Sequence, residues 1–430
     1  MRQPPKWTEF FRYPVVSGTA LLAVGVTAAW SAGVDVSRLF ESAMIRHGEL
    51  WRLITSMFPH LGVLHLIFNI YWLWVFGTLV EQVYGPVKTA GFILLFAIGP
   101  NALEYAFSTG GVGLSGVGYG LFGLLWMLSK KDERFRDAID TRTIQLFVIW
   151  FFFCILMTYT GYMNVGNIAH GAGAIFGILA GWAIILREQR PVMIASIAVV
   201  FVFGLWAATL GRPRMNPAKE AGYEECNLGY KAVTAKHNAE AVRWLREAVS
   251  YQHIPSGCWT TLGVAYQGLK QNSDALAAYR KAAEAGDDNA EYNIGLMYEQ
   301  GEGVPKDARQ ALEWYRKAVA HGSAQAMNNV AWQYATSSDP AVRNPAEALK
   351  YAMQAVAADK DHPNPNFLDT LAEAQYVNGL YQDAVKTEQQ AIALVSQPER
   401  DQFQKSLTKY QLAATGKPTN SRQMVTYSKL

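Results

Sequence analysis

The sequence predicts an all-α protein in two unlike parts: a polytopic bundle of membrane helices, then an α-solenoid. Three observations predict it. The 430 residues are 50% hydrophobic and 17% charged, yet mean hydropathy is only +0.02, as when an apolar and a polar part are averaged. Divided after Gly211, the front holds 14 Lys plus Arg and 11 Asp plus Glu, and the back holds 24 of each. Seven apolar stretches fill the front, and a pattern recurring every 32 to 37 residues fills the back. The first is the mark of membrane helices and the second of stacked helical repeats, so one soluble globule is excluded.

The first stretch, residues 13–32, follows Arg2, Lys6 and Arg12. Its length, and the spans after it, make it an uncleaved signal anchor rather than a signal peptide. Crossing about 30 Å of hydrocarbon takes roughly 20 apolar residues. Residues 64–83, 87–107, 143–160, 168–187 and 191–210 meet or approach that length, whereas 115–128 falls short. The glycine-rich run 108–114 precedes the short stretch. Non-helical backbone at membrane depth survives only where protein or a watery cavity satisfies it, so a cavity with Ser115 at its floor is expected.

Lys and Arg in short loops set the orientation. The amino-terminal segment, the loop with Lys130, Lys131, Arg134, Arg136 and Arg142, and the turn with Arg187 and Arg190 fall on one side if the spans alternate. That side is cytoplasmic. The first loop, the glycine-rich dip and the loop near Asn167 then face outward, as does the tail if 191–210 is a seventh span. Arg212, Arg214 and Lys219 weigh against that last step.

In the back half Gly263 to Tyr266 recurs as Gly295 to Tyr298, and Ala282-Ala283 after Tyr279 recurs as Ala318-Val319 after Tyr315. Such a period is one helix-turn-helix unit, which buries its apolar face only by stacking. About five units are expected. Residues 292–307 with 311–318 resemble a Sel1-like repeat, a relative of the tetratricopeptide repeat. The expected layout is a cytoplasmic segment 1–12, a membrane core 13–190, a seventh helix 191–211, repeats 221–396 and an extension 397–430, polar and disordered after about Lys417.

Several classes are excluded. A net charge of +3 without a basic cluster gives no footprint for nucleic acid. Cys154, Cys226 and Cys258 form no disulfide scaffold and no metal-spaced cluster, so neither metal nor cofactor is expected. Cys226 and Cys258 fall near the starts of two successive units, and would pair on an oxidising side or stay buried and reduced on the other. Gly111 to Gly116 formally matches GxGxxG but lies in no βαβ unit, and Val117 stands where a GxSxG elbow needs glycine. His60 and His65 lack HExxH spacing. A transporter needs ion-coordinating groups at mid-depth and repeated halves, and neither is seen.

Polar residues inside spans are functional candidates by default. His65 and Asn69 share one helix face, Ser115 opens the short helix with Tyr119 a turn below, and Asn167 and His170 open the sixth span. By the alternation above, all lie near the outer leaflet. Gly116, Gly120 and Gly123 form one stripe, and Gly173, Gly177 and Gly181 continue the face of His170. Packing these stripes together sets Ser115 beside His170, a nucleophile and its general base. His65, the Asn69 amide and the Ser115 N–H are candidate oxyanion donors, and Tyr119 could hold the His170 ring. With Glu81 and Glu104 near span ends, a dyad is favoured over a triad. A lone Ser, His or Asn in a membrane helix ordinarily makes only an interhelical hydrogen bond; four at one depth beside a broken helix call for more.

These residues resemble the rhomboid intramembrane serine proteases. Trp51-Arg52, His60, His65 to Asn69, Gly77 to Glu81 and Gly85 look like the family's first loop and second span. Gly113-Leu114-Ser115-Gly116 with Tyr119 resembles its GxSG motif, and Ala169-His170 with Gly173 and Gly177 its AHxxGxxxG motif. The resemblance, over about residues 45 to 187, implies Ser115 as nucleophile, His170 as base and His65, Asn69 and the Ser115 N–H as the oxyanion site. Gly113, Gly116, Tyr119 and Asn167 are supporting, and Arg52 and Glu81 structural. It also implies cleavage of single-span membrane proteins near the outer face, in a bacterial inner membrane, with the fifth span as gate. Trp150 to Phe153 and Phe68 would pack that gate, or merely face lipid. The solenoid is expected to recognise a substrate or a partner protein the sequence does not name. The alternative is an inactive relative that binds membrane helices as a quality-control adaptor.

Overall fold

The computed structural model describes residues 3–162, 165–359 and 363–415, apart from the side chains of Pro398 and Glu399. The expected polar end after Lys417 lies outside the described residues. Every regular element among the described residues is helical. The chain forms two compact units, Met1–Asn227 with Glu247–Ile254, and Leu228–Arg246 with Pro255–Leu430.

In the first unit α1 is Pro14–Ser31. Its first amides, which have no intrahelical partner and form the positive end of the helix dipole, meet a carboxylate: Glu81 accepts from Val15 N and Val16 N, both at 3.0 Å. The next two apolar stretches form two helical arms separated by a kink. Helix α2 (Val63–Trp72), a wide π turn at Leu73–Gly77 and α3 (Thr78–Phe107) make one apolar run of 45 residues. As a straight helix it would be about 68 Å long, over twice the hydrocarbon thickness. Gly85, at φ 77° and ψ 171°, breaks it, and Pro86 starts the second arm. Among the described residues five apolar helical runs are long enough to cross a membrane, the run 63–107 holding two arms, against seven stretches in the sequence. The difference is that two stretches lie in the kinked run 63–107, and that α4 (Ser115–Leu128) is short, about 21 Å long.

Helix α4 is central, with most of its residues buried. Helix α5 (Thr141–Tyr159), capped by Asp140, which accepts from Thr143 N at 2.8 Å, buries only Thr143, Phe147 and Cys154. Helix α6 (Asn167–Ile185) lies on α4 through glycine on both sides. A Cβ on Gly173 would strike the Gly116 carbonyl, one on Gly177 the Gly120 carbonyl, and one on Gly123 the Ala174 carbonyl at 2.5 Å. The backbones touch because these positions have no side chains. Gly120 is also filled by the Phe96 ring of α3. Helix α7 (Arg190–Ala208) buries only Gly204, Ala207 and Ala208 at its far end, against Ala102, Tyr105 and Ala106 of α3 and Ile45 and Leu53 of the first loop. A short turn, α8 (Arg212–Met215), follows it.

The first loop is packed rather than loose. Arg52 is buried, pairs with Glu49 at 2.6 Å and donates to the carbonyls of Phe40 and Ser37 at 3.1 and 3.3 Å. Arg46 pairs with Glu247 at 3.2 Å and donates to the Thr209 carbonyl at 3.1 Å.

The second unit consists of paired helices. Helices α9 (Tyr223–Thr234) and α10 (Asn238–Ala248) lie at its boundary; α11 (Ser256–Gly268), α12 (Asn272–Ala283), α13 (Asp288–Gln300), α14 (Ala308–Ala320), α15 (Ala324–Thr336), α16 (Pro345–Ala358), α17 (Pro365–Val377) and α18 (Tyr381–Leu394) continue it, and α19 (Gln397–Ala414) closes it. The recurring Gly and Tyr have a steric cause. Tyr279 of α12 seats its ring on Gly263 of α11, and Tyr315 of α14 on Gly295 of α13, so any side chain at either glycine would collide with an aromatic ring. Asp287, Asp307, Asn344 and Asn364 cap α13, α14, α16 and α17. Tyr410 of α19 is buried and donates to Glu373 at 2.8 Å.

Candidate active site

The site starts from glycine. Gly110 and Gly113 have φ of +100° and +113°, which only glycine adopts freely, so the chain can leave α3, dip and enter α4 at Ser115. The amides of this loop are held one by one. Gly110 N donates to Ser108 Oγ at 3.0 Å, Gly111 N to Glu41 Oε2 at 2.9 Å, Gly113 N to the Ser56 carbonyl at 2.9 Å and Leu114 N to His60 Nε2 at 3.3 Å. His60 can accept only as a neutral imidazole whose other nitrogen donates, and Nδ1 lies 2.9 Å from the Phe58 carbonyl. Burial, and then neighbouring His65, hold His60 down to about 4. His60 thus serves the structure, holding the Leu114 amide just before Ser115.

Ser115, half-buried, opens α4, where the first amides of a helix have no intrahelical carbonyl to bond. His65 lies against the loop: a Cβ on Gly113 would come within 2.9 Å of its Cε1, and its ring is 4.9 Å from that of His60. Asn69, a turn further, is buried and donates one amide proton to the His65 carbonyl at 3.0 Å. The second amide proton remains for another acceptor.

His170 is buried at the start of α6, and the glycine contact sets its helix against that of Ser115: a Cβ on Gly116 would lie 3.5 Å from the Ala169 carbonyl. The Tyr119 ring stacks on the imidazole at 4.7 Å and 24°, and its hydroxyl donates to the Phe147 carbonyl at 3.0 Å. His170 Nδ1 has no hydrogen-bond partner among the described residues, so no carboxylate orients the ring. Nor does a hydrogen bond join Ser115 to His170 among the described residues; unliganded sites commonly hold such pairs apart. Asn167 turns away, donating to Thr158 Oγ1 at 2.8 Å and tying α6 to α5. Of the aromatic cluster, Trp150 meets Phe68 at 5.3 Å and Phe151 meets Tyr119 at 6.1 Å, whereas Phe152 and Phe153 are exposed.

Sequence reasoning missed two acids, the buried Glu104 and the half-buried Glu41. Glu104 Oε2 accepts from Ala169 N at 2.9 Å, immediately before His170, and Oε1 accepts from Ser108 Oγ at 2.7 Å. Glu41 takes Gly111 N as above, and burial pushes its carboxyl up to about 8. Their signal was the presence of a carboxylate beside long apolar runs. At Glu104 it was discounted as a span end, and Glu41 sits in a loop without periodicity. Among the described residues no cluster of His, Cys, Asp or Glu could hold a metal ion.

Both parts of the chain are similar to known proteins. Residues 47–187 match the Rhomboid domain model, and residues 288–323 and 324–359 each match the Sel1 repeat. The rhomboid protease GluP of Bacillus subtilis is 27% identical over 271 residues, covering 60% of this chain and 50% of that protein. The rhomboid protease GlpG of Salmonella paratyphi A is 29% identical over 145 residues, covering 33% of this chain and 51% of that protein. The chain thus spans about half the length of these curated relatives. A Sel1 repeat protein from Oxalobacter formigenes superposes with a TM-score of 0.32 at 20% identity, covering 47% of this chain and 91% of that one. The two family matches, the apolar helices and the paired helices behind them make the chain a multi-pass membrane protein with a rhomboid domain, followed by Sel1 repeats in a helical solenoid.

Proposed function

We propose that this chain is an intramembrane serine endopeptidase in which Ser115 attacks and His170 is the general base. The observation that carries the reading is the glycine seam between α4 and α6, which brings the Ser115 and His170 helix starts together under a stacked Tyr119. The imidazole takes the Ser115 hydroxyl proton as oxygen bonds to the scissile carbonyl carbon, and returns it to the leaving amine. The oxyanion is received by the Ser115 N–H, the free amide proton of Asn69 and His65, at the positive end of α4. Tyr119 in place of a carboxylate fixes the imidazole, so the pair works as a dyad.

The substrate is a single-span membrane protein whose helix unwinds near the outer face, entering past the thinly packed α5. The seventh span supports an outward tail: its exit meets the Ser115 end of the bundle, where Arg46 of the first loop binds the Thr209 carbonyl. An outward tail places Cys226 and Cys258 in an oxidising compartment outside a bacterial inner membrane, where disulfides persist. The amino terminus is then cytoplasmic, and the repeats recruit substrate or a partner protein from outside.

The test is cleavage of a reporter span in membranes by wild type, Ser115→Ala and His170→Ala at matched abundance. Wild type alone cleaving is the expected result. Cleavage that persists in Ser115→Ala overturns the nucleophile, and an inert wild type that still captures the reporter favours an adaptor.

A further inference from the structure

We propose that Arg212 and Asn216, just beyond the seventh membrane helix, are positioning residues for the nucleophile loop. The inference rests on the protease reading above for its activity readout, and on geometry alone for its structural one.

Loop 108–114 is a poor support for a nucleophile on its own. It is rich in glycine, which loses the most freedom on ordering, and a misplacement of about 1 Å can cost on the order of a hundredfold in rate. Four of its amides are fixed by Ser108, Glu41, Ser56 and His60, as described. Its upstream end has a different anchor. The Ser108 carbonyl, where the chain leaves α3, accepts from Arg212 Nη1 at 3.0 Å and from Asn216 Nδ2 at 2.6 Å. Asn216 also reaches the Tyr105 carbonyl at 3.4 Å, so it spans the last free carbonyls of α3. The Arg212 guanidinium lies 3.5 Å from the centre of the buried Tyr105 ring. Both side chains are sequestered, Arg212 at 5% and Asn216 at 2% exposure.

A buried cation is costly unless it is used, and this one has specific neighbours. Its charge acts on the carboxyls of Glu41 and Glu224, the first of which holds Gly111. Ser108 is the node that makes the anchor matter. Its carbonyl is held by Arg212 and Asn216, and its hydroxyl accepts from Gly110 N and donates to Glu104. Glu104 in turn holds Ala169 N, next to His170. Movement of Ser108 is therefore transmitted both to the loop entering Ser115 and to the start of the His170 helix. The seventh span delivers two residues that lock this node, and is part of the active unit as well as a tether for the repeats.

The experiment uses the full-length chain in detergent or vesicles. Arg212→Gln and Asn216→Ala are compared with Arg212→Lys for kcat and KM on a reporter span. Hydrogen exchange of the 108–115 amides is measured in the same variants carrying Ser115→Ala. Arg212→Gln is expected to lower kcat about ten- to a hundredfold with KM within about twofold, and Asn216→Ala several-fold. Arg212→Lys, which keeps the charge and one donor, recovers part of the loss. Exchange of the loop amides speeds up in Arg212→Gln and Asn216→Ala. Should Arg212→Gln fail to fold, Asn216→Ala carries the test. Unchanged kcat and unchanged exchange in Asn216→Ala overturn the inference. If the wild type cleaves nothing, the protease reading fails, while the exchange data still decide whether these residues hold the loop.

Discussion

The glycine seam makes a sharp prediction at Gly177. A methyl there would meet backbone only: besides the Gly120 carbonyl oxygen, it would lie 2.8 Å from Leu124 N and 2.9 Å from Gly120 C. Non-bonded heavy atoms settle at about 3.5 Å or beyond, so α4 and α6 must separate by more than half an ångström. No flexible side chain is present to yield. Overpacking of this kind costs about 1 to 3 kcal/mol, and here it also moves His170 away from Ser115. Gly177→Ala is therefore expected to lower thermal stability in detergent and to cut reporter cleavage about tenfold or more. Two controls grade the effect. A methyl at Gly171 would meet only the Phe151 ring, at 3.5 Å, and one at Gly118 meets nothing within 4 Å. Both alanine variants should keep activity, and Gly118→Ala should gain up to about 1 kcal/mol of helix propensity. If Gly177→Ala matches Gly118→Ala in both assays, the helices are not in backbone contact and the reasoning fails.

Three further outcomes follow from the same geometry. Glu41, raised to about 8 by burial, lends stability that is complete below the ordinary carboxyl value of 4.5 and is lost as pH rises through 8. His60, depressed to about 4 from 6.5, works oppositely and only below 6.5, so a decline in stability between pH 6.5 and 8 that Glu41→Gln flattens isolates Glu41; an unchanged slope contradicts it. Tyr119→Phe keeps the ring on His170 and loses the bond to Phe147, so it should cost less than threefold in kcat against tenfold or more for Tyr119→Ala, read by steady-state kinetics. Glu81→Ala strips the acceptor from Val15 N and Val16 N and should destabilise the bundle by about 1 to 3 kcal/mol in thermal unfolding, with KM unaltered.

Much of this was legible in the sequence because it is encoded locally. Ser115 opens a helix too short to span, and Gly173, Gly177 and Gly181 recur at one-turn spacing, so their shared face can be read without coordinates. The Gly263 and Gly295 periodicity similarly announced the stacked repeats, and the tyrosines that fill those glycines lie only 16 and 20 residues away. Gly85 and Pro86 fall in the gap between the stretches 64–83 and 87–107, and there the structure breaks the helix. What was not legible depends on distant pairings. Glu41 meets Gly111 across 70 residues, Glu104 meets Ala169 across 65 and Asn216 meets Ser108 across 108. No periodicity marks a loop carboxylate that folds back onto a glycine amide. Arg212 is a related case: it reads as a loop charge in the sequence, whereas it is buried on Tyr105 and bonded to a backbone carbonyl.

The most direct test of the central claim is to treat the intact protein in vesicles with a fluorophosphonate and map the adduct by mass spectrometry, in wild type and in His170→Ala. A single adduct on Ser115, formed in wild type and slowed about a hundredfold or more in His170→Ala, is the predicted result. An unlabelled Ser115, or labelling indifferent to His170, contradicts the proposed pair.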